Sequence, residues 1–108
     1  ECAKDQKQFW AYHDALYQAE IKDGRENNGN LNRDLFLKLY DELKLDHSAF
    51  ASCFDSKKYA GQIEKDTDNA QVLGVNSTPT TFINSQKLLG ALPYAQFQAV
   101  IDSILKQE

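Results

Sequence analysis

Methionine is absent from this 108-residue chain, and proline and cysteine occur only twice each. Its apolar runs are only a few residues long, which excludes a membrane-spanning helix. Lys and Arg number 12 against 16 Asp and Glu, a formal net charge of −4. No Lys/Arg-rich face is available to a phosphate backbone, so nucleic acid is excluded as a partner. Cys2 and Cys53 stand far apart, and Cys-x-x-Cys occurs nowhere. The chain therefore carries no short dithiol pair for exchange chemistry. Nor do the two cysteines make a zinc site with His13 and His47, because no closely spaced ligand pair exists among the four. No metal and no cofactor is expected. A signal-peptide pattern and an initiating Met are both missing, which fits either a trimmed leader or tag or, as the sharper expectation, a Glu1 that lies inside a longer protein.

What is present is ordinary for a folded globular chain: 42% hydrophobic and 26% charged residues, enough for one small domain or part of one. Cys2, Phe9, Tyr12, His13, Leu16 and Tyr17 follow a helical stripe, which predicts a first helix from Cys2 to about Ala19. No capping residue precedes it, as though the helix were already under way at Glu1. Residues 23–30, D-G-R-E-N-N-G-N, read as a solvated loop. Its Asp and Asn content invites a calcium reading, but with Gly29 as the turn glycine, Gly24 and Leu35 would fill ligand positions, which the EF-hand pattern forbids. Asn32, Asp46 and Asp55 each sit between apolar residues in a helix-capping arrangement, predicting helices near 33–43, 47–53 and 56–73, with Gly74 as a left-handed stop.

From Gly74 onward the pattern changes from helical to alternating. Thr80–Asn84 reads as a strand, Asn84-Ser85-Gln86 as a turn and Lys87–Ala91 as the returning strand. Pro93 suits the first position of a last helix whose buried stripe is Phe97, Val100, Ile101, Ile104 and Leu105. Pro79 is the unusual residue, since a proline leading into a strand removes a ladder donor. A cis Thr78–Pro79 bond would present neighbouring backbone groups to a bound peptide. The inventory is short of strands: five helices surround a lone hairpin, which is marginal by itself. A helical domain with a hairpin flap fits, and so does the C-terminal part of a larger α/β domain. The open hairpin edge also fits a homodimer.

Four segments taken together, E-C-A-K-D-Q-K-Q-F-W-A-Y-H-D-A-L at 1–16, L-K-L-D-H-S-A-F-A-S-C-F-D-S-K-K-Y-A at 43–60, L-G-V-N-S-T-P-T-T-F-I-N at 73–84 and G-A-L-P-Y-A-Q-F at 90–97, resemble the DsbA-like branch of the thioredoxin superfamily. The resemblance implies a partial thioredoxin-like α+β/α/β fold, mostly helical, with a C-terminal β-hairpin and a closing helix. Residues 1–73 would be an inserted helical region, and 74–108 the cis-Pro loop, hairpin and last helix of one domain truncated at its N-terminus. It implies thiol–disulfide exchange outside the cytoplasm, in the periplasm or an equivalent compartment. The substrates would be polypeptides with cysteines, and a membrane redox partner would serve the parent protein. The nucleophilic Cys-x-x-Cys would lie upstream of Glu1, leaving this chain inactive alone. Thr78 and Pro79 match the substrate-binding cis-Pro loop. Spacing alone leaves a disulfide and two buried thiols equally open for Cys2 and Cys53, and the resemblance favours a structural disulfide. Ser77, where Gly is common, and Lys44, where a helix-ending Gly is frequent, depart from the family pattern.

Other residues carry weaker signals. Cys53 lies between Phe50 and Phe54, an apolar setting that favours structure over catalysis. His13 has no nucleophile placed by motif to use it as a base, and His47 carries less signal still. Phe9, Trp10 and Tyr17, at helical spacing, read as core before peptide groove. Asn76-Ser77-Thr78 spells a glycosylation acceptor only by accident, with Pro79 following. The alternative function is a redox-inactive thioredoxin-like peptide-binding or interaction module. A helical adaptor unrelated to thioredoxins is the third reading, one that makes the resemblance chance.

Overall fold

The computed structural model describes residues 1–107. A short 3-10 turn, Lys4–Gln6, leads into five helices and one hairpin: α1 (Phe9–Ile21), α2 (Arg33–Glu42), α3 (His47–Asp55), α4 (Ala60–Val72), β1 (Thr80–Ile83), β2 (Gln86–Leu89) and α5 (Tyr94–Leu105). The chain divides into two compact units, Glu1–Glu64 and Lys65–Glu108, the division falling within the sequence of α4.

In the first unit the helix starts follow side-chain chemistry. The Asn32 carboxamide oxygen accepts from the Leu35 amide at 2.9 Å, and the Asp46 carboxylate accepts from the Ala49 amide at 2.9 Å. Each satisfies one orphan donor of its helix. Asp55, expected to cap the next helix, instead closes α3. Its carboxylate takes both arms of the Arg33 guanidinium, at 3.0 and 2.8 Å. α3 ends through Lys57, whose φ of +53° lets its amide and that of Lys58 reach back to the carbonyls of Phe54 and Cys53. α4 therefore begins at Ala60, four residues beyond the expected start.

The expected helix from Cys2 is likewise broken. Lys7, at φ +60°, ends the 3-10 turn, and α1 starts at Phe9. The turn places Gln6 against the α2–α3 corner. Gln6 Nε2 donates to the Tyr40 hydroxyl at 2.6 Å, and Gln6 Oε1 accepts from the Asp46 amide at 2.8 Å. The Tyr40 hydroxyl in turn donates to the Asp46 carbonyl.

The core is aromatic. Tyr40 is 0% exposed, and Ala3, Leu39, Phe50 and Cys53 are also buried. The Phe50 ring lies 3.9 Å from that of Tyr40 and 5.4 Å from that of Tyr12, between centroids. Half-buried Tyr12 donates its hydroxyl to the Phe36 carbonyl at 3.0 Å. Burial, with the Tyr40 phenol as a lesser cause, pushes the Tyr12 pKa up to about 12. A phenol whose folded pKa is raised stabilises the fold fully below the unfolded value, and this is lost as pH rises towards the folded one. Stability should thus fall between pH about 10 and 12 in an alkaline titration followed by tyrosinate absorbance, and Tyr12→Phe should remove that component.

Lys44 occupies a left-handed position at the end of α2, φ +55°, where its amide bonds the Asp41 carbonyl at 3.0 Å. A β-carbon is costly there and glycine is not. Lys44→Gly should raise stability by about 0.5–1 kcal/mol, read as a higher urea midpoint.

In the second unit β1 and β2 pair antiparallel, with Thr80 opposite Leu89 and Ile83 opposite Gln86. The connection is two residues, Asn84 and Ser85, shorter than the expected three, because Asn84 adopts φ +51° and turns the chain at once. Pro93 caps α5 from outside it. No described residue of this unit is fully buried. The apolar stripe of α5 is half-buried at Phe97, Val100 and Ile104 and exposed at Ile101 and Leu105.

Candidate functional site

The segment joining α4 to β1 owes its shape to one glycine and one proline. Gly74, at φ +72°, stops the helix: its amide bonds the Gln71 carbonyl and the Val75 amide bonds the Ala70 carbonyl, both at 2.9 Å. The chain then runs through exposed Asn76, Ser77, Thr78 and Pro79, with the Thr78–Pro79 peptide bond cis. Pro79 has no amide hydrogen to donate, but its carbonyl accepts from the Gly90 amide at 2.9 Å. That bond fixes the ladder's phase. Alternation makes Thr81–Leu88 and Ile83–Gln86 the hydrogen-bonded pairs, so the main chain of Thr80 and Phe82 faces the open edge of the hairpin.

Hairpin side chains hold this segment from below. The Thr80 hydroxyl donates to the Ser77 carbonyl at 2.7 Å, and the Lys87 ammonium donates to the Gly74 carbonyl at 3.0 Å. A β-carbon on Gly74 would stand 3.3 Å from that ammonium nitrogen. Three carbonyls, those of Gly74, Ser77 and Pro79, are therefore engaged. The N–H and C=O of Thr78 have no hydrogen-bond partner among the described residues. An exposed amide and carbonyl on one residue can hydrogen-bond an extended polypeptide.

Cys2 and Cys53 form a disulfide in the first unit, with Cα atoms 5.9 Å apart. Among the described residues no free thiol remains. The same two segments are joined again by Asp5, which accepts from the Lys58 ammonium at 2.7 Å and from the Tyr59 hydroxyl. These hydrogen bonds, from Lys58 first and Tyr59 second, lower the Asp5 pKa from its usual value. A cavity of about 410 Å³ beside the disulfide is lined mainly by apolar side chains, among them Tyr12, Phe36, Phe50 and Ile63.

His13 and His47 each engage a carboxylate, that of Asp14 at 3.0 Å and that of Asp41 at 2.8 Å. Among the described residues neither ring is hydrogen-bonded to a hydroxyl or thiol that it could activate. Trp10 and Tyr17, expected in the core, are 70% and 63% exposed, on a face of α1 that also carries Ile21. Thr80, Lys87 and Gly90, the residues that shape the Thr78 corner, were not singled out by the sequence. Cross-strand register brings Lys87 and Gly90 to it, opposite Phe82 and Pro79, whereas Thr80 directly follows Pro79 and bonds Ser77 three residues back.

A family model described as thioredoxin matches residues 1–103. The chain belongs to the thioredoxin family. Its DsbA-like character accords with a probable disulfide bond formation protein D of Bacillus anthracis, 30% identical over 106 residues, which cover 96% of this chain and 46% of that protein. The disulfide bond formation protein D of Bacillus subtilis is 25% identical over 104 residues, 95% of this chain and 46% of that protein. A Na(+)/H(+) antiporter, NhaA 3, of Salinispora tropica is 33% identical over 96 residues, 87% of this chain but 13% of the antiporter. The chain thus spans less than half the length of the disulfide bond formation proteins it matches. No solved structure matches it. Among the described residues no helix is long and apolar enough to cross a membrane.

Proposed function

We propose that residues 1–108 are the C-terminal, substrate-contacting part of a DsbA-like thiol–disulfide oxidoreductase that acts on cysteine-containing polypeptides outside the cytoplasm. The observation that carries the reading is the Thr78 corner, where an unpaired amide and carbonyl stand exposed beside Pro79 while neighbouring carbonyls are tied to the hairpin. An extended substrate strand pairs with Thr78 and lies against Pro79. The attacking thiolate comes from a Cys-x-x-Cys outside these residues, because both cysteines here are bonded to each other. In the exchange, that thiolate attacks one sulfur of a disulfide, a mixed disulfide forms, and the other sulfur leaves as thiolate. Family membership and the likeness to disulfide bond formation proteins of Bacillus support this reading.

Insulin reduction in the presence of dithiothreitol, run on residues 1–108 and on the whole gene product, tests it. The expected result is a gene product that speeds insulin precipitation and a 108-residue chain that does not. A gene product as inert as the chain would overturn the oxidoreductase reading in favour of a redox-inactive peptide-binding module.

A further inference from the structure

We propose that Thr80 is a positioning residue for the polypeptide that the corner takes, its hydroxyl holding the Ser77 carbonyl so that the main chain of Thr78 stays turned outward. This rests on the substrate-contacting role just given to Thr78 and says how that role is set. The six residues from Gly74 to Pro79 include no helix or strand, so nothing repetitive fixes their main chain. The Gly74 and Val75 amides tie the start of this segment back to α4, and three bonds reach it from the hairpin side: Lys87 Nζ to the Gly74 carbonyl, Thr80 Oγ1 to the Ser77 carbonyl, and the Gly90 amide to the Pro79 carbonyl. The first and last grip the ends of the segment. Only the Thr80 hydroxyl reaches the residue directly before Thr78.

The bond has a directional consequence. With the Ser77 carbonyl pulled towards the hairpin, the trans Ser77–Thr78 peptide plane is fixed, and within it the Thr78 N–H points the opposite way from that carbonyl. The Thr80 hydroxyl therefore orients the amide that a visiting strand meets. Freed from it, the plane would rotate about the flanking backbone torsions, and a peptide would have to order it on binding. Lys87 helps at the far end, but its ammonium is a mobile point charge on a flexible stem, whereas Thr80 is β-branched and stiff at χ1. Thr80 is accordingly the residue whose loss should be felt in peptide affinity.

The test uses an eight-residue extended peptide with one S-methylated cysteine, titrated by NMR into the 108-residue protein and its Thr80→Val and Thr80→Ser variants. Thr80→Val keeps the branched shape and removes the hydroxyl; Thr80→Ser keeps the hydroxyl. Thr80→Val is expected to weaken binding about five-fold, the worth of one ordinary hydrogen bond, while Thr80→Ser binds like the unsubstituted protein. Equal affinity in Thr80→Val, with the hairpin intact by cross-strand contacts, overturns the inference and leaves the role of Thr78 standing. If the unsubstituted protein itself shows no shift at Thr78, that role fails and this inference falls with it. Should Thr80→Val lose its hairpin, the hydroxyl proton of Thr80 in the unsubstituted protein decides. Protection from solvent exchange supports the bond to Ser77, and exchange at the free-hydroxyl rate overturns it.

Discussion

Replacing both cysteines in Cys2→Ser/Cys53→Ser is expected to destabilise the first unit by about 4 kcal/mol, which for a domain of this size lowers Tm by roughly 20 °C. The number follows from the 51-residue separation of the two cysteines, because a cross-link that closes a long loop removes much of the disorder of the unfolded chain. With the bridge gone, the N-terminal turn is held by Gln6 against Tyr40 and Asp46, and by Asp5 against Lys58 and Tyr59. The Asp5 contacts bring a pH dependence. A carboxylate whose folded pKa is depressed stabilises above its unfolded value, and that contribution is lost as pH falls through the folded value. The cysteine-free protein should therefore lose further stability below pH about 4, whereas Asp5→Asn in the same background should flatten that acid limb. A thermal melt unchanged by the double replacement would show that the bridge staples nothing.

Tyr40→Ala should cost about 4 kcal/mol, comparable to the whole stability of a small domain, and leave the first unit largely unfolded. Tyr40 is 0% exposed, packs its ring on Phe50 and Tyr12, and joins the 3-10 turn to the start of α3 through its hydroxyl. Alanine would leave a cavity with no neighbour able to fill it, and would strand two polar groups. Tyr40→Phe separates the two contributions. It keeps the ring and should cost only about 1–2 kcal/mol, the penalty for leaving the Asp46 carbonyl and the Gln6 amide short of a partner. Chemical denaturation of the two variants reads both numbers. Equal losses would mean that the hydroxyl network, not ring packing, holds this corner.

The sequence disclosed those features whose cause is local. Asn32 and Asp46 cap helices as their flanking apolar pairs predicted, and Gly74 stops α4 at a left-handed residue. The alternation after Gly74 located the hairpin, the lost ladder donor at its entry singled out Pro79, and the family resemblance matched Thr78 and Pro79 to a substrate-binding loop. Features with a distant cause were hidden. Asp55 carries the same local capping signature as Asp46, but an arginine 22 residues away claims its carboxylate. Lys7 and Lys57 enter left-handed conformation without the glycine that would advertise it, which is why the breaks after the 3-10 turn and α3 were missed. Periodicity found the apolar faces of α1 and α5 but could not say that Trp10, Tyr17 and Ile101 would stand exposed. At the candidate site the pattern was similar. The exposed residues could be read in order along the chain, and the Thr80 clamp is a local bond three residues long, whereas the clamps from Lys87 and Gly90 arise only when two strands come into register.

The central claim is that Thr78 offers its own backbone to a visiting polypeptide. The most direct check is an isotope-filtered NMR experiment on the unsubstituted 108-residue protein with a saturating extended peptide. Contacts from the peptide backbone to Thr78, together with slowed exchange of the Thr78 amide hydrogen, are predicted. A peptide that binds elsewhere while that amide goes on exchanging freely with water would contradict the account.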